Sequence, residues 1–120
     1  MTWKFNEDTP IYLQIMEMIK VDIVNGNYQS GDKLKAVRDL ASEYGVNPNT
    51  VQRAYSELER EGLVQSERTS GRYVTITKEK IAELRDALSQ RYIEDLFRHL
   101  KDIGMNEKQI KQAIAKWEDQ

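Results

Sequence analysis

Residues 40–51, LASEYGVNPNTV, contain the spacing that decides the fold. A small residue, Ala41, is followed by Gly45 four positions later and by Val51 six positions after that. Two helices that cross at about 90–120° touch closely at the position of Ala41, so a large side chain there would push them apart. Gly45 supplies the positive φ that a tight turn requires. The stretch therefore predicts a helix-turn-helix.

The helix after this turn has clear start signals. Asn47 is a favoured N-cap residue, and Pro48 is tolerated at the first helical position because its missing N–H would have no helical partner there. The apolar side chains of the segment recur at helical spacing and are Val51, Ala54, Tyr55 and Leu58. The polar side chains outside that stripe are Asn49, Gln52, Arg53 and Ser56. This pattern predicts an amphipathic helix that ends at Gly62.

The flanking segments complete a recognisable order of elements. Residues 10–24 have helical apolar spacing behind Pro10, and residues 25–27 end that helix. A second short helix is indicated by the spacing of Leu34, Val37, Leu40, Ala41 and Tyr44. Residues 63–67 and 72–76 alternate apolar with polar residues, which is typical of a β-hairpin. Three helices followed by a hairpin are the order of a winged helix-turn-helix.

The remaining residues return to helical spacing. We expect one long amphipathic helix that ends at Gly104, then a short helix with a capping box formed by Asn106 and Gln109. The predicted fold is mostly α (α+β). It has a winged helix-turn-helix domain at residues 1–77 and a two-helix dimerisation appendage at residues 78–120.

Composition excludes several functional classes. The 120 residues include no Cys, which excludes disulfides, thiolate metal sites and Cys nucleophiles, and one His, which excludes paired-histidine sites. Since there is also no Gly-rich phosphate loop or nucleophile elbow, we expect no catalytic residue, no metal and no cofactor. No apolar run approaches the roughly 20 residues of a membrane span, and residues 1–6 lack the apolar core of a signal peptide. We therefore expect a cytoplasmic protein with no membrane partner.

The charge distribution says more than the net charge of -2. Residues 44–56 contain Arg53 and no Asp or Glu, and residues 68–78 contain three basic residues and no acidic one. Asn and Gln side chains can read adenine, and Arg can read guanine or hold a phosphate. Thr50 and the amides at the helix start suit a phosphate oxygen.

The hairpin loop has the same character. Arg68 and Arg72 flank small residues, so the backbone at the tip can approach a phosphate or a narrow minor groove. Each feature by itself also fits a solvated surface helix or turn. In combination they favour DNA recognition.

These features resemble the GntR family of bacterial transcription regulators and, in chain length, its small YtrA-type subfamily. The resembling segments are PIYLQI (10–15), GDKL (31–34), VRDLA (37–41), GVNPNTV (45–51), LEREGLV (58–64) and SG (70–71). The resemblance implies DNA contacts at Arg38, in the recognition helix and at the wing-tip Gly71. Some relatives have Arg where Pro48 stands, so no base contact carries over there. Relatives commonly have Pro where this chain has Lys35, which adds a candidate phosphate contact.

The residue chemistry and the resemblance together predict double-stranded operator DNA as a partner. The candidate DNA-binding residues are Lys35, Arg38, Asn47, Asn49, Thr50, Gln52, Arg53, Ser70, Gly71 and Arg72.

The apolar stripe of the appendage must be covered by another surface. Two helices by themselves do not enclose a ligand pocket. Folding back on the first domain would cover part of the stripe. Pairing with a second copy would cover more of it and supply two-fold symmetry, and the YtrA-type resemblance implies dimerising tails. The candidate interface residues are Leu84, Leu88, Tyr92, Leu96, Phe97, Leu100, Ile110, Ile114 and Trp117.

The sequence thus predicts a sequence-specific, homodimeric DNA-binding regulator, a repressor, on a pseudo-palindromic operator. The alternative is a winged-helix adaptor that binds proteins and has no specific affinity for DNA. A small-molecule effector is left open.

Overall fold

The structure, a computed structural model, is described over residues 4–119. Residues 1–3 and Gln120, which fall in the predicted first and last segments, lie outside this description. The elements in chain order are α1 (Ile11–Val24), α2 (Val37–Tyr44), α3 (Pro48–Arg60), β1 (Val64–Glu67), β2 (Gly71–Val74), α4 (Lys78–Asp102) and α5 (Glu107–Glu118). The predicted fold class is confirmed: the chain is mostly helical, with one two-stranded antiparallel hairpin.

The core of the N-terminal unit forms around α3. This helix packs against α1, α2 and β1. Its apolar stripe is completely buried at Val51, Ala54 and Leu58, and Ile15 and Ile23 of α1 are almost completely buried. Because the stripe occupies only one side of α3, the opposite side of the helix stays in water.

The hairpin has a third, short partner that the sequence pattern did not predict. Gly31 and Leu34 donate backbone N–H bonds to Val74 and Arg72 over 2.7 and 2.9 Å, and Lys33 forms a bridge with Tyr73. Leu34, which we expected at the start of the second helix, therefore lies outside it, and α2 begins at Val37. The prediction was wrong because a backbone pairing partner far along the chain outweighs local helical spacing.

Other boundaries differ from the predicted ones by one or two residues. Pro10 is the N-cap of α1 and not its first helical residue. The hairpin arms pair Val64 with Val74 and Glu67 with Gly71, so β2 ends before Ile76, which is buried outside the strand.

The chain divides into two compact units, one that ends at Leu84 and one that begins at Arg85. The division falls within α4, whereas the predicted domain boundary lies just before that helix, after residue 77. The second unit contains the rest of α4 and all of α5. Asn106 caps α5 and, with Gln109, forms the expected capping box. Within residues 4–119, no helix combines the length and apolar content needed to cross a membrane.

Candidate nucleic-acid interface

The start of α3 is built as its sequence predicts. Gly45 adopts the left-handed conformation with φ 67° and ends α2. The side-chain oxygen of Asn47 accepts the backbone N–H of Asn49 over 2.8 Å, with Pro48 in the first turn. This oxygen is therefore used for capping. The side-chain NH2 group of Asn47 remains for the predicted DNA contact.

The predicted base-reading side chains lie together on the solvent side of α3. Asn49, Gln52 and Arg53 are exposed, and Ser56 lies one turn beyond Gln52. The amide nitrogen of Gln52 lies 3.4 Å from the Ser56 hydroxyl oxygen. The first carboxylate of the helix is Glu57, so no acidic side chain comes from the leading turns of this surface.

The predicted backbone-contacting residues have different surroundings. Arg38 is exposed on α2, and Thr50 is half-buried in the first turn of α3. Lys35 forms an ion pair with Glu43, and the hydrogen bond that its ammonium group donates to the Glu43 carboxylate raises the pKa of Lys35. The carbonyl of Lys35 accepts the Tyr55 hydroxyl over 2.7 Å, which ties the segment before α2 to α3. Burial raises the pKa of Tyr55 well above its ordinary value, so this hydroxyl stays a donor.

Arg53 has a partner that the sequence analysis missed. Its guanidinium carbon lies 3.8 Å from the centre of the Tyr12 ring, at the start of α1. Tyr12 belongs to the PIYLQI segment that carried the family resemblance, but nothing in its spacing linked it to α3. Only the packing of α1 on α3 brings the two side chains together.

The wing tip is formed by Arg68, Thr69 and Ser70, between the two strands. The Tyr73 hydroxyl donates to the Ser70 hydroxyl oxygen over 3.0 Å. Gly71 has φ 120°, and a Cβ atom placed there would lie 2.9 Å from Cε of Lys33. The Lys33 side chain therefore lies beside the wing at Gly71. It is a cation near the wing that was not among the predicted DNA-binding residues.

Arg72 is directed toward α3 and not toward the tip. Its Nε lies 3.7 Å from a carboxylate oxygen of Glu59, and its guanidinium carbon lies 5.5 Å from the Tyr55 ring centre. Ser66 donates its hydroxyl to Glu59 over 2.7 Å. This hydrogen bond lowers the pKa of Glu59, with a smaller contribution from Arg72. In this conformation Arg72 therefore fastens the wing to the recognition helix.

The predicted interface residues of the tail fall into two groups. Tyr92, Leu96, Ile114 and Trp117 are exposed, with Trp117 at 75%, while Phe97 and Leu100 are half-buried. Leu84, Leu88 and Ile110 are buried within the chain, so they offer little surface to a partner. Ile93 and Ile103 are also exposed and were not in the predicted set.

Across positions 4–119, no three His, Asp or Glu side chains come close enough together to hold a metal ion.

Comparison with known proteins agrees with this architecture. A family model described as "Bacterial regulatory proteins, gntR family" matches residues 11–74, which extend from α1 to the end of the wing. The chain is 37% identical to the uncharacterized HTH-type transcriptional regulator YhcF of Bacillus subtilis (strain 168), over 92% of each chain. It is 40% identical to the HTH-type transcriptional repressor YtrA of the same organism, over 72% of this chain and 71% of YtrA.

Solved structures show the same likeness. A GntR family transcriptional regulator from Listeria monocytogenes superimposes with a TM-score of 0.79 at 38% identity, over 93% of this chain and 98% of its own. The DNA-binding domain of AraR, in complex with operator ORX1, superimposes with a TM-score of 0.55 at 26% identity, over 62% of this chain and 92% of its own.

Proposed function

Because the chain belongs to the GntR family of bacterial regulatory proteins, we propose that it is a repressor that binds a pseudo-palindromic operator as a homodimer. The family and the relatives are transcription regulators with a helix-turn-helix that binds DNA. The repressor activity, the operator symmetry and the homodimer are the parts that we propose for this chain.

The exposed side of α3 is the observation that carries the proposal. It presents amides and hydroxyls without a carboxylate in its leading turns, and the major groove of DNA admits an α-helix. In our proposal Asn49 and Gln52 read base edges, while Arg38 and Thr50 contact the phosphate backbone. The wing, with Gly71 at its end, lies near the minor groove and is held there by Arg72.

The tail supports the homodimer. Its exposed apolar side chains are unfavourable in water, and a second copy of the same helices offers a matching surface. A symmetric pair of helix-turn-helix units would place the two recognition helices about one helical turn, roughly 34 Å, apart on DNA. Repression is the activity named for the relative YtrA. Action on chromosomal DNA agrees with the expected cytoplasmic location.

Selection of bound DNA from a random library, followed by gel shifts over a salt series, tests the proposal. We expect recovery of an inverted repeat and a steep loss of affinity with rising salt. Gln52→Ala should cost about 1–3 kcal/mol of binding free energy and relax preference at one base pair in each half-site. Gln112→Ala, an exposed glutamine of α5, is the matched control and should bind like wild type.

A different result would favour the adaptor. If the chain binds no DNA in a salt-dependent way, the winged helix is a scaffold for protein contacts and the repressor proposal fails. If the selection recovers a single unpaired half-site, the proposal of a symmetric homodimer is rejected, and the proposal of DNA binding is retained.

A further inference from the structure

Two arginines of the N-terminal unit lie over tyrosine rings, but only one has a carboxylate beside it. Arg72 lies over Tyr55 and is paired with Glu59. Arg53 lies closer to its ring, at 3.8 Å from the centre of Tyr12, and within residues 4–119 no ion pair involves it. The charge of Arg53 is therefore oriented by a ring face and is not neutralised by an acidic side chain.

Helix geometry separates Arg53 from Gln52, although both were predicted to read bases. Consecutive residues of an α-helix diverge by about 100°, so Gln52 and Arg53 project to different sides of α3. Glu59 lies two turns beyond Gln52, on the same side, and contacts the wing residues Ser66 and Arg72. Gln52 is therefore on the wing side of the helix, and Arg53 is on the α1 side.

We propose that Tyr12 is a positioning residue that holds the Arg53 guanidinium for a DNA phosphate, so that Arg53 adds affinity without sequence discrimination. This inference rests on the proposed DNA binding.

The short distance between the Arg53 guanidinium and the Tyr12 ring is the physical reason for this assignment. A guanidinium that lies flat on an aromatic ring uses its face for the contact and keeps its N–H edge for an oxygen ligand. A phosphate accepts such an edge in a forked arrangement. In our proposal this edge, on the α1 side of α3 and away from Gln52, meets a phosphate instead of a base. Holding the side chain beforehand also reduces the ordering that binding requires.

A double-mutant cycle on a selected operator tests the proposal. Tyr12→Ala and Tyr12→Leu should each weaken binding roughly 3- to 30-fold, the range expected for loss of a cation–π contact. Tyr12→Phe retains the ring and should bind within about 2-fold of wild type. Tyr12→Ala combined with Arg53→Ala should bind no more weakly than Arg53→Ala alone, because Tyr12 acts through Arg53.

Two further measurements separate a phosphate contact from a base contact and from a folding defect. Arg53→Ala should lower the slope of log affinity against log salt by about 1 and leave the selected sequence unchanged. Thermal unfolding of each variant identifies those that do not fold, and Tyr12→Leu keeps apolar bulk at the site if Tyr12→Ala does not fold.

Several outcomes would overturn the proposal. They are additive effects of the two alanine variants, wild-type affinity of a folded Tyr12→Leu protein, or an altered base preference in Arg53→Ala. Failure of the wild-type chain to bind any DNA would instead reject the proposed function, so the two failures are distinguishable.

Discussion

The two compact units of the chain bury their apolar side chains to different extents. In the N-terminal unit the stripe of α3 is fully covered, with Val51, Ala54 and Leu58 at 0% exposure. In the C-terminal unit Ile103 and Trp117 are 72% and 75% exposed. The first unit therefore completes its core within one chain and leaves polar side chains in water. The second leaves apolar surface that a partner would cover.

A charge placed on the tail is the largest expected effect. Leu96→Glu should convert the proposed homodimer to monomers, because a carboxylate would be buried without a partner at the interface. Operator affinity should then fall about 10²- to 10⁴-fold, since each half-site would be bound independently. Sedimentation equilibrium gives the mass, and gel shifts give the affinity.

Leu13→Glu is the matched control for this change. Leu13 of α1 is 41% exposed and Leu96 is 42% exposed. The two substituted side chains are therefore equally accessible but lie in different units of the chain. Leu13→Glu should remain dimeric. A dimeric Leu96→Glu protein would break the comparison, because the tail surface would then not be the interface.

A cavity in the completed core should have the next largest effect. Leu58→Ala should lower the free energy of unfolding by about 2–5 kcal/mol, because the side chain is fully buried between α3 and its neighbours. Leu13→Ala should cost less, since part of that side chain is already in water. Urea denaturation at one protein concentration compares them, and equal losses would contradict a core centred on α3.

Substitution of the wing glycine Gly71 should have separate effects on the stability of the chain and on its DNA binding. Gly71→Ala and Gly31→Ala both force a side chain into positive φ, at 120° and 96°, and each should cost about 1–2 kcal/mol of stability. A new Cβ at Gly71 would also displace Lys33, whereas at Gly31 it would meet nothing within 4 Å. Gel shifts should therefore show weaker DNA binding for Gly71→Ala alone. Equal DNA affinities of the two variants would show that the position of the Lys33 side chain does not affect DNA binding.

The smallest effect concerns pH and the contact between α3 and the wing. The hydrogen bond from Ser66 lowers the pKa of Glu59, so this carboxylate adds stability above its unfolded-state pKa and loses it as pH falls through the folded value. Because Glu59 is partly exposed, Glu59→Gln should cost no more than about 1 kcal/mol at pH 7 and nearly nothing at about pH 2, where the carboxyl group is protonated in both states. Urea denaturation at both pH values measures this.

Ser66→Ala serves as the partner variant for this test. It should reduce the pH-dependent difference between wild type and Glu59→Gln, because the main donor to the carboxylate is removed. A difference that persists at low pH would show that Glu59 acts by packing and not by its charge.

Local signals predicted a large part of the fold. The Asn47 cap, the left-handed Gly45 and the capping box of Asn106 with Gln109 all occur where the sequence placed them. Each depends on residues within four positions of one another, so short-range chemistry is enough to specify it. The side of α3 that faces water was predictable for the same reason, since one helical period defines it.

Contacts between distant segments were not predictable in this way. Leu34 matched the helical spacing of α2, but its N–H pairs with the carbonyl of Arg72 in the hairpin, and it lies outside the helix. Ile110 matched the apolar stripe of a dimer surface and is buried within the chain. In both cases periodicity identifies an apolar position but does not say which partner covers it.

The sequence by itself determined the order of the elements, their caps and the polar side of α3, because these depend on neighbours along the chain. The tertiary structure alone decided the partners of Arg53 and Arg72. Tyr12 lies under Arg53 because α1 packs on α3, and Glu59 holds Arg72 because the wing folds back on that helix. An arginine at a given position is a fact of sequence, but the direction of its charge depends on residues that only folding brings beside it.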